Sequence, residues 1–274
     1  MRTFFVTGAS TGIGEAIAVH FARRGDRVYA TMRTPDKSAQ AISKLAMEEG
    51  LDLRILALDV TDPASIEAAV HVAQSESGKI DVLVNNAGIA MLGTVEEAPA
   101  EWLTTTLDTN VVGVVRVVQA VVPAMRQRGS GVIVNVSSVS GRLASPGVSH
   151  YSASKHALEA LSESLASELL PFGVRVIVVQ PGFISTPLVG KLRVPDGSLN
   201  GPYRALMKRQ VEFFQEGVGN ADPPSVVAQV LQAALEDPSP RLRYLAGQSA
   251  APSMEYRASV SDEEWVGMVA DRPG

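Results

Sequence analysis

Seven short apolar runs recur along this chain, and most are separated by a stretch long enough to form a helix. They are TFFV (3–6), RVYAT (27–31), LRILAL (53–58), DVLV (81–84), GVIVNV (131–136), RVIVV (175–179) and LRYLA (242–246). Several are apolar throughout rather than alternating, as expected of strands covered on both faces. Helical periodicity fills the segments near 12–24, 36–49, 63–76, 99–127 and 151–170. Strand, helix, strand, repeated, calls for right-handed crossovers and a parallel sheet with helices on both sides. The expectation is an α/β chain: a doubly wound parallel sheet of about seven strands in a single domain over residues 1–247. The regular spacing breaks between about 183 and 222, which reads as a substrate loop or lid. The pattern does not place the tail, 248–274.

Composition narrows the function classes. The 274 residues are 46% hydrophobic, enough for one large core. Net charge is −5 and no Lys/Arg run exceeds two residues, so no nucleic-acid surface is expected. Cysteine is absent, which excludes disulfides, thiolate metal sites and cysteine nucleophiles. His150 and His156 stand six apart without a carboxylate cluster, so no metal site is expected. The most apolar run, NVVGVVRVVQAVVPAM from Asn110, is interrupted by Arg116 and Pro123, and no membrane span is expected. The first ten residues reach a glycine too soon for a signal-peptide core, and a cytoplasmic location is expected.

The first strand runs into TGASTGIG, residues 7–14. Gly8, Gly12 and Gly14 there allow positive φ and a close approach of phosphate to the backbone. The helix that follows offers free N–H groups and a positive dipole end. The spacing differs from the common G-x-G-x-x-G fingerprint. Its position does not differ: a turn from strand one to helix one is where doubly wound sheets of the Rossmann type bind nucleotides. Further on, Tyr151 and Lys155 stand four apart in HYSASKHALEA and share a helix face. Alone, that spacing does not distinguish an ordinary helix face from a proton-transfer pair.

Together these motifs resemble the short-chain dehydrogenase/reductase family, in the family's order, over about residues 3–247. Thr7-Gly8-x-x-x-Gly12-Ile13-Gly14 looks like its cofactor turn. LDVTD (58–62) follows strand three, NNAG (85–88) follows strand four, and NVSS (135–138) ends thirteen residues before Tyr151-x-x-x-Lys155. PGFIST (181–186) looks like the loop that closes over a nicotinamide. The resemblance implies hydride transfer between a nicotinamide cofactor and a carbonyl or alcohol carbon. It implies Tyr151 as general acid and base, Lys155 as the cation that lowers its pKa, Ser138 as donor to the substrate oxygen, and Asn110 holding a relay water. It also implies cofactor contacts from Gly8, Ser10, Thr11, Gly12, Ile13 and Gly14 in the turn. Arg33, Asp59 and Val60 would meet the adenosine end. Asn86, Ala87 and Gly88, with Tyr151 and Lys155, would line the middle. Pro181, Gly182, Ile184 and Thr186 would close over the nicotinamide end.

Strand two leads into Met32 and Arg33, where an NAD-preferring site wants an acidic residue. A guanidinium binds a ribose 2′-phosphate bidentately, so NADP(H) is expected over NAD(H). Ser138, Leu143, Val148, Tyr151 and Phe183 are the expected substrate contacts. Pro146, Leu188, Val189, Leu192, Tyr203 and Phe214 add to a wall suited to a small apolar carbonyl or alcohol. The run around Tyr151 is similar to the hydroxysteroid and retinol dehydrogenase branch. A 3-oxoacyl-thioester reductase is the alternative, and a non-catalytic NADP(H)-binding sensor a third. The Val-rich helix near 110–127 and the helix at 151–170 are expected to pair subunits into a homodimer or homotetramer.

Overall fold

The computed structural model describes residues 1–190, 194–195 and 200–271. In chain order the first half contains β1 (Thr3–Val6), α1 (Gly12–Arg23), β2 (Arg27–Met32), α2 (Pro35–Ser38), α3 (Gln40–Glu49), β3 (Leu53–Ala57), α4 (Pro63–Ser77) and β4 (Val82–Asn85). Then come α5 (Ala100–Leu107), α6 (Gly113–Arg128), β5 (Gly131–Val136), α7 (Ser149–Leu169) and β6 (Val174–Pro181). The chain ends with α8 (Pro187–Gly190), α9 (Arg204–Gly219), α10 (Ser225–Glu236), β7 (Arg243–Ala246), α11 (Ala250–Ser259) and α12 (Asp262–Asp271).

All seven strands pair in parallel, in the order β3-β2-β1-β4-β5-β6-β7. The order reverses between β1 and β4, so a crevice opens beyond their C-terminal ends. Period-two geometry sends adjacent residues to opposite faces. Phe4 packs with Val6, Ile17, Phe21, Val28 and Leu231 beneath α1 and α10. Phe5 packs with Tyr29, Leu83, Val117, Ile133 and Leu158 beneath α4, α6 and α7. Two buried asparagines pair within this sheet: Asn85 donates to Asn135 Oδ1 at 2.9 Å, and Asn135 donates to Ser162 at 2.8 Å.

Local chemistry sets the helix ends. Asp62 accepts from the Ala64 N–H at 3.0 Å, Pro63 occupies the first helical position of α4, and Gly78 ends it with φ 75°. The helix expected as one piece at 36–49 divides at Ala39. The helix expected at 99–127 is broken by a π turn at Asp108–Val112. The Asn110 side chain fixes that turn with bonds to both backbone groups of Ile89 and to Ser154. Pro123 lies inside the helix that follows the π turn. Arg116 reaches back to Asp108 at 2.8 Å, and helical structure continues through Ala100–Arg128. By length and composition alone that run is apolar enough to cross a membrane, which is weak evidence of a span. Val114, Val117, Val121 and Met125 bury its inner face in the core.

The tail forms α11 and α12. α12 opens with a capping box: Ser261 Oγ accepts from the Glu264 N–H and Glu264 accepts from the Ser261 N–H. Trp265, one residue on, is buried and donates its indole N–H to Ala144 O at 3.0 Å. The tail therefore packs against the loop between β5 and α7.

Candidate functional site

The C-terminal ends of β1, β4, β5 and β6 border one cavity of about 1450 Å³. Gly8 and Gly12 have φ of 67° and 64°, which favours glycine at both. Thr11 precedes α1 without a side-chain cap, so the first N–H groups of that helix are left without a partner inside it. Ser10, Thr11, Gly12 and Ile13 line the cavity there. The NNAG segment braces this turn. Asn86 donates to Thr7 O and Gly8 O, and the Thr7 hydroxyl accepts from the N–H groups of Asn86 and Ala87. Gly14 does not line the cavity; it lies behind the turn, where a Cβ would stand 2.4 Å from both Gly8 O and Asn86 Nδ2. The geometry gives Gly14 a packing role.

At one end of the cavity Arg33, Asp59 and Val60 form the rim. Arg33 is exposed and pairs with no carboxylate among the described residues. Asp59 holds the next turn by accepting from the N–H and hydroxyl of Thr61. Ala87 and Gly88 line the middle; Pro181, Gly182, Ile184 and Thr186 line the opposite wall.

Tyr151, Lys155 and Ser138 meet between the two ends. Lys155 is buried, and its ammonium donates to Val136 O at 2.8 Å. Burial pulls its pKa down to about 8, against the opposing pull of the Glu159 carboxylate. Its Nζ lies 5.6 Å from the Tyr151 ring centroid. Burial raises the Tyr151 pKa, and the neighbouring Ser138 hydroxyl brings it partly back. Hydrogen bonding separates the two adjacent serines: Ser137 Oγ has no partner among the described residues, whereas Ser138 accepts from the Ser140 N–H and donates to Pro181 O. Asn110 is fully buried behind this group and outside the cavity wall. His150 is buried too, which lowers its pKa, and does not line the cavity.

The substrate-side wall contains Leu143, Val148 and Phe183, with Met91, Leu188, Phe213 and Phe214. The three phenylalanines contact one another edge to face at 5.5–6.0 Å. Pro146 and Tyr203 are not in the wall. Tyr203 packs on Leu92, Val148 and Met207 and donates its hydroxyl to Glu96 at 2.6 Å. Leu192 lies outside the described residues, as does the Val189 side chain.

Sequence reasoning missed the third wall. Ser249, Pro252, Ser253, Tyr256 and Trp265 line the cavity from α11, α12 and the turn before them. Ser249 Oγ accepts from the Phe183 N–H at 2.9 Å, which ties the tail to the substrate loop. The SDEEW box at 261–265 was the available signal: a capped helix start with a tryptophan in its first turn. No cluster of metal-ligating side chains occurs among the described residues.

Comparison with known proteins agrees with this geometry. Residues 2–196 match the model of the short chain dehydrogenase family. An oxidoreductase of Botryotinia fuckeliana is 36% identical, covering 96% of each chain. Human 17-beta-hydroxysteroid dehydrogenase type 1 is 37% identical over 92% of this chain and 79% of its own. A short-chain dehydrogenase structure from Streptomyces avermitilis superposes with a TM-score of 0.84 at 34% identity, covering 97% of this chain and 96% of that one. A short chain dehydrogenase/reductase from Burkholderia phymatum in complex with NAD gives 0.82 at 25% identity, covering 100% and 96%. The glycine cradle, the uncapped helix start and the wall beneath Thr186 fit a nicotinamide dinucleotide. On the match over residues 2–196, the shared fold and these relatives, the chain belongs to the short-chain dehydrogenase/reductase family of NAD(P)-binding oxidoreductases.

Proposed function

We propose that this enzyme interconverts a carbonyl and an alcohol on an apolar substrate, with NADP(H) as the preferred cofactor and Tyr151 as the proton donor and acceptor. One observation carries the reading. Tyr151, sharing the cavity wall with Ser138 and one helical turn from the buried Lys155, stands where the glycine-lined part of the cavity meets the apolar part.

The bound nicotinamide would supply or accept the hydride. This chain's own residues handle the oxygen and the proton. Ser138 donates to the substrate oxygen and holds it against the phenol. In reduction Tyr151 gives up its proton, and its burial keeps the phenol protonated and ready at neutral pH. In oxidation it must accept a proton, which requires the phenolate. Bringing a phenol from ~10 to near 7 takes about 4 kcal/mol, and charged Lys155 contributes to it. Asn110 sits behind α7 and positions this helix start.

Arg33 supports NADP(H), because a guanidinium at the end of β2 suits a 2′-phosphate and no acidic side chain stands there. The apolar substrate is supported by the lining. Among the described residues the charged side chains there are Arg33, Asp59, Glu101, Asp108 and Lys155, and none of these belongs to the substrate loop, α9 or the tail. The likeness to 17-beta-hydroxysteroid dehydrogenase type 1 favours a fused-ring ketone or alcohol within this class. Leu103 and Val112 are exposed on the outer side of the long helix, which supports pairing of subunits through that helix and α7; sedimentation as a monomer at micromolar concentration would contradict it.

The test is NADPH oxidation against steroids, retinal, simple apolar ketones and 3-oxoacyl thioesters, with Tyr151→Phe as control. Turnover of apolar ketones, lost in the Phe variant, is the expected result. Preference for the thioesters would move the enzyme to the fatty-acid class, and undiminished activity of the Phe variant would overturn the mechanism.

A further inference from the structure

Behind the Tyr151–Lys155 pair lies a carboxylate that the reaction above does not use. Glu159 follows Lys155 by one turn of α7 and is buried at 4% exposure. A buried carboxylate needs partners, and both oxygens of Glu159 have one. Gln180 of β6 donates to Oε1 at 2.9 Å, and Arg243 of β7 donates to Oε2 at 2.8 Å. Arg243 also pairs with Glu163, one further turn along α7 and exposed. The turn after β5 packs on the same spot: a Cβ on Gly141 would stand 2.9 Å from Glu159 Cγ and 3.2 Å from Lys155 O. One side chain thus ties α7 to β6 and β7 directly behind the site. Gln180 immediately precedes Pro181, whose carbonyl accepts from Ser138.

We infer that Glu159 is a positioning residue of the reaction: its buried charge holds Lys155 in the ammonium form, and Arg243 sets how much of that charge Lys155 receives. The inference rests on the assignment of Tyr151 and Lys155 above. Among the described residues the charges facing Lys155 come from α7, namely Glu159 and, once ionised, Tyr151; β5 presents the Val136 carbonyl. Those facing Glu159 are Lys155 and Glu163 on α7 and Arg243 on β7. Arg142, after β5, acts on Glu163 nearby, and Gln180 on β6 is neutral. Burial disfavours the ammonium, and among the described residues Glu159 is the carboxylate that opposes it.

Two variants move Lys155 in opposite directions. Glu159→Gln keeps the size and the bond to Gln180 but removes the charge, so the alkaline limb of the kcat/KM profile should shift to lower pH by about one unit. Arg243→Gln removes a cation from behind Glu159, so that limb should shift to higher pH. The lysine ε-carbon NMR titration of the cofactor-free protein, assigned with Lys155→Arg, should show the same two displacements without any turnover. Loosened packing would lower kcat in both variants without opposed shifts. Unmoved profiles and resonances, or two shifts of the same sign, would overturn the inference while leaving Tyr151→Phe inactive. An active Tyr151→Phe enzyme would instead remove the assignment on which the inference rests.

Discussion

Asn110 reaches the backbone of Tyr151 through one hydroxyl: its amide donates to Ser154 Oγ at 3.0 Å, and Ser154 donates to Tyr151 O at 2.7 Å. The π turn is therefore coupled to the start of α7. Single π turns of this kind often mark functional sites.

Replacing Asn110 with Leu strands both backbone groups of Ile89 as well as Ser154. The expected cost is about 2–3 kcal/mol of stability in urea unfolding, with kcat falling more than the affinity for cofactor. Ser154→Ala loses only its own bonds and should cost about 1 kcal/mol. Equal effects from the two variants would argue against the coupling.

Arg33→Asp should reverse cofactor preference toward NAD(H), since a carboxylate beside the adenosine end repels a 2′-phosphate and suits a ribose diol. The readout is the ratio of kcat/KM values for NADPH and NADH. An unchanged ratio would show that Arg33 is only a solvated rim residue.

Gly14→Ala tests packing rather than phosphate contact. The new methyl would meet Gly8 O and Asn86 Nδ2 at 2.4 Å, and the backbone has little room to yield. A loss of about 1–3 kcal/mol in thermal or denaturant unfolding is expected, with weakened cofactor binding as a consequence.

Lys155 gives a stability prediction with a definite sign. Its folded pKa of about 8 lies below the ordinary lysine value of 10.5. Between those values the unfolded chain holds a proton that the folded chain has released, so this residue makes stability rise with pH across that window. Below pH 8 the buried ammonium costs up to about 3 kcal/mol. Lys155→Met should accordingly be inactive yet more stable than the parent at pH 7, and the gain should shrink toward pH 10. Urea unfolding at the two pH values reads it directly.

The strand series, the glycine turn and the Tyr151–Lys155–Ser138 set were legible in sequence because each has a local signature: apolar runs, φ-permissive residues and fixed spacings. Other features depend on tertiary context. The π turn cannot be read from the Val-rich helix, because the partners that stabilise it lie at Ile89 and Ser154. The raised phenol of Tyr151 follows from burial that no spacing reveals. Gly14 looked like a ligand contact because turn glycines serve both phosphate approach and close packing. The tail was opaque because it buries few apolar side chains, Ala250 and Trp265 among the described residues, while Tyr256 and Val266 stay exposed and blur its periodicity.

The Asn85–Asn135 pair has a consequence for how the sheet assembles. β4 and β5 are otherwise runs of valine, isoleucine and leucine, and a slip of two residues would keep every side chain on its own face with little loss of apolar burial. Such a slip would break the Asn85–Asn135 bond and leave the buried Asn85 amide without that partner, which costs more than the apolar contacts it trades. The two asparagines thus act as an alignment key. They fix where β5 stops relative to β4, and with it where Ser138 emerges opposite Tyr151.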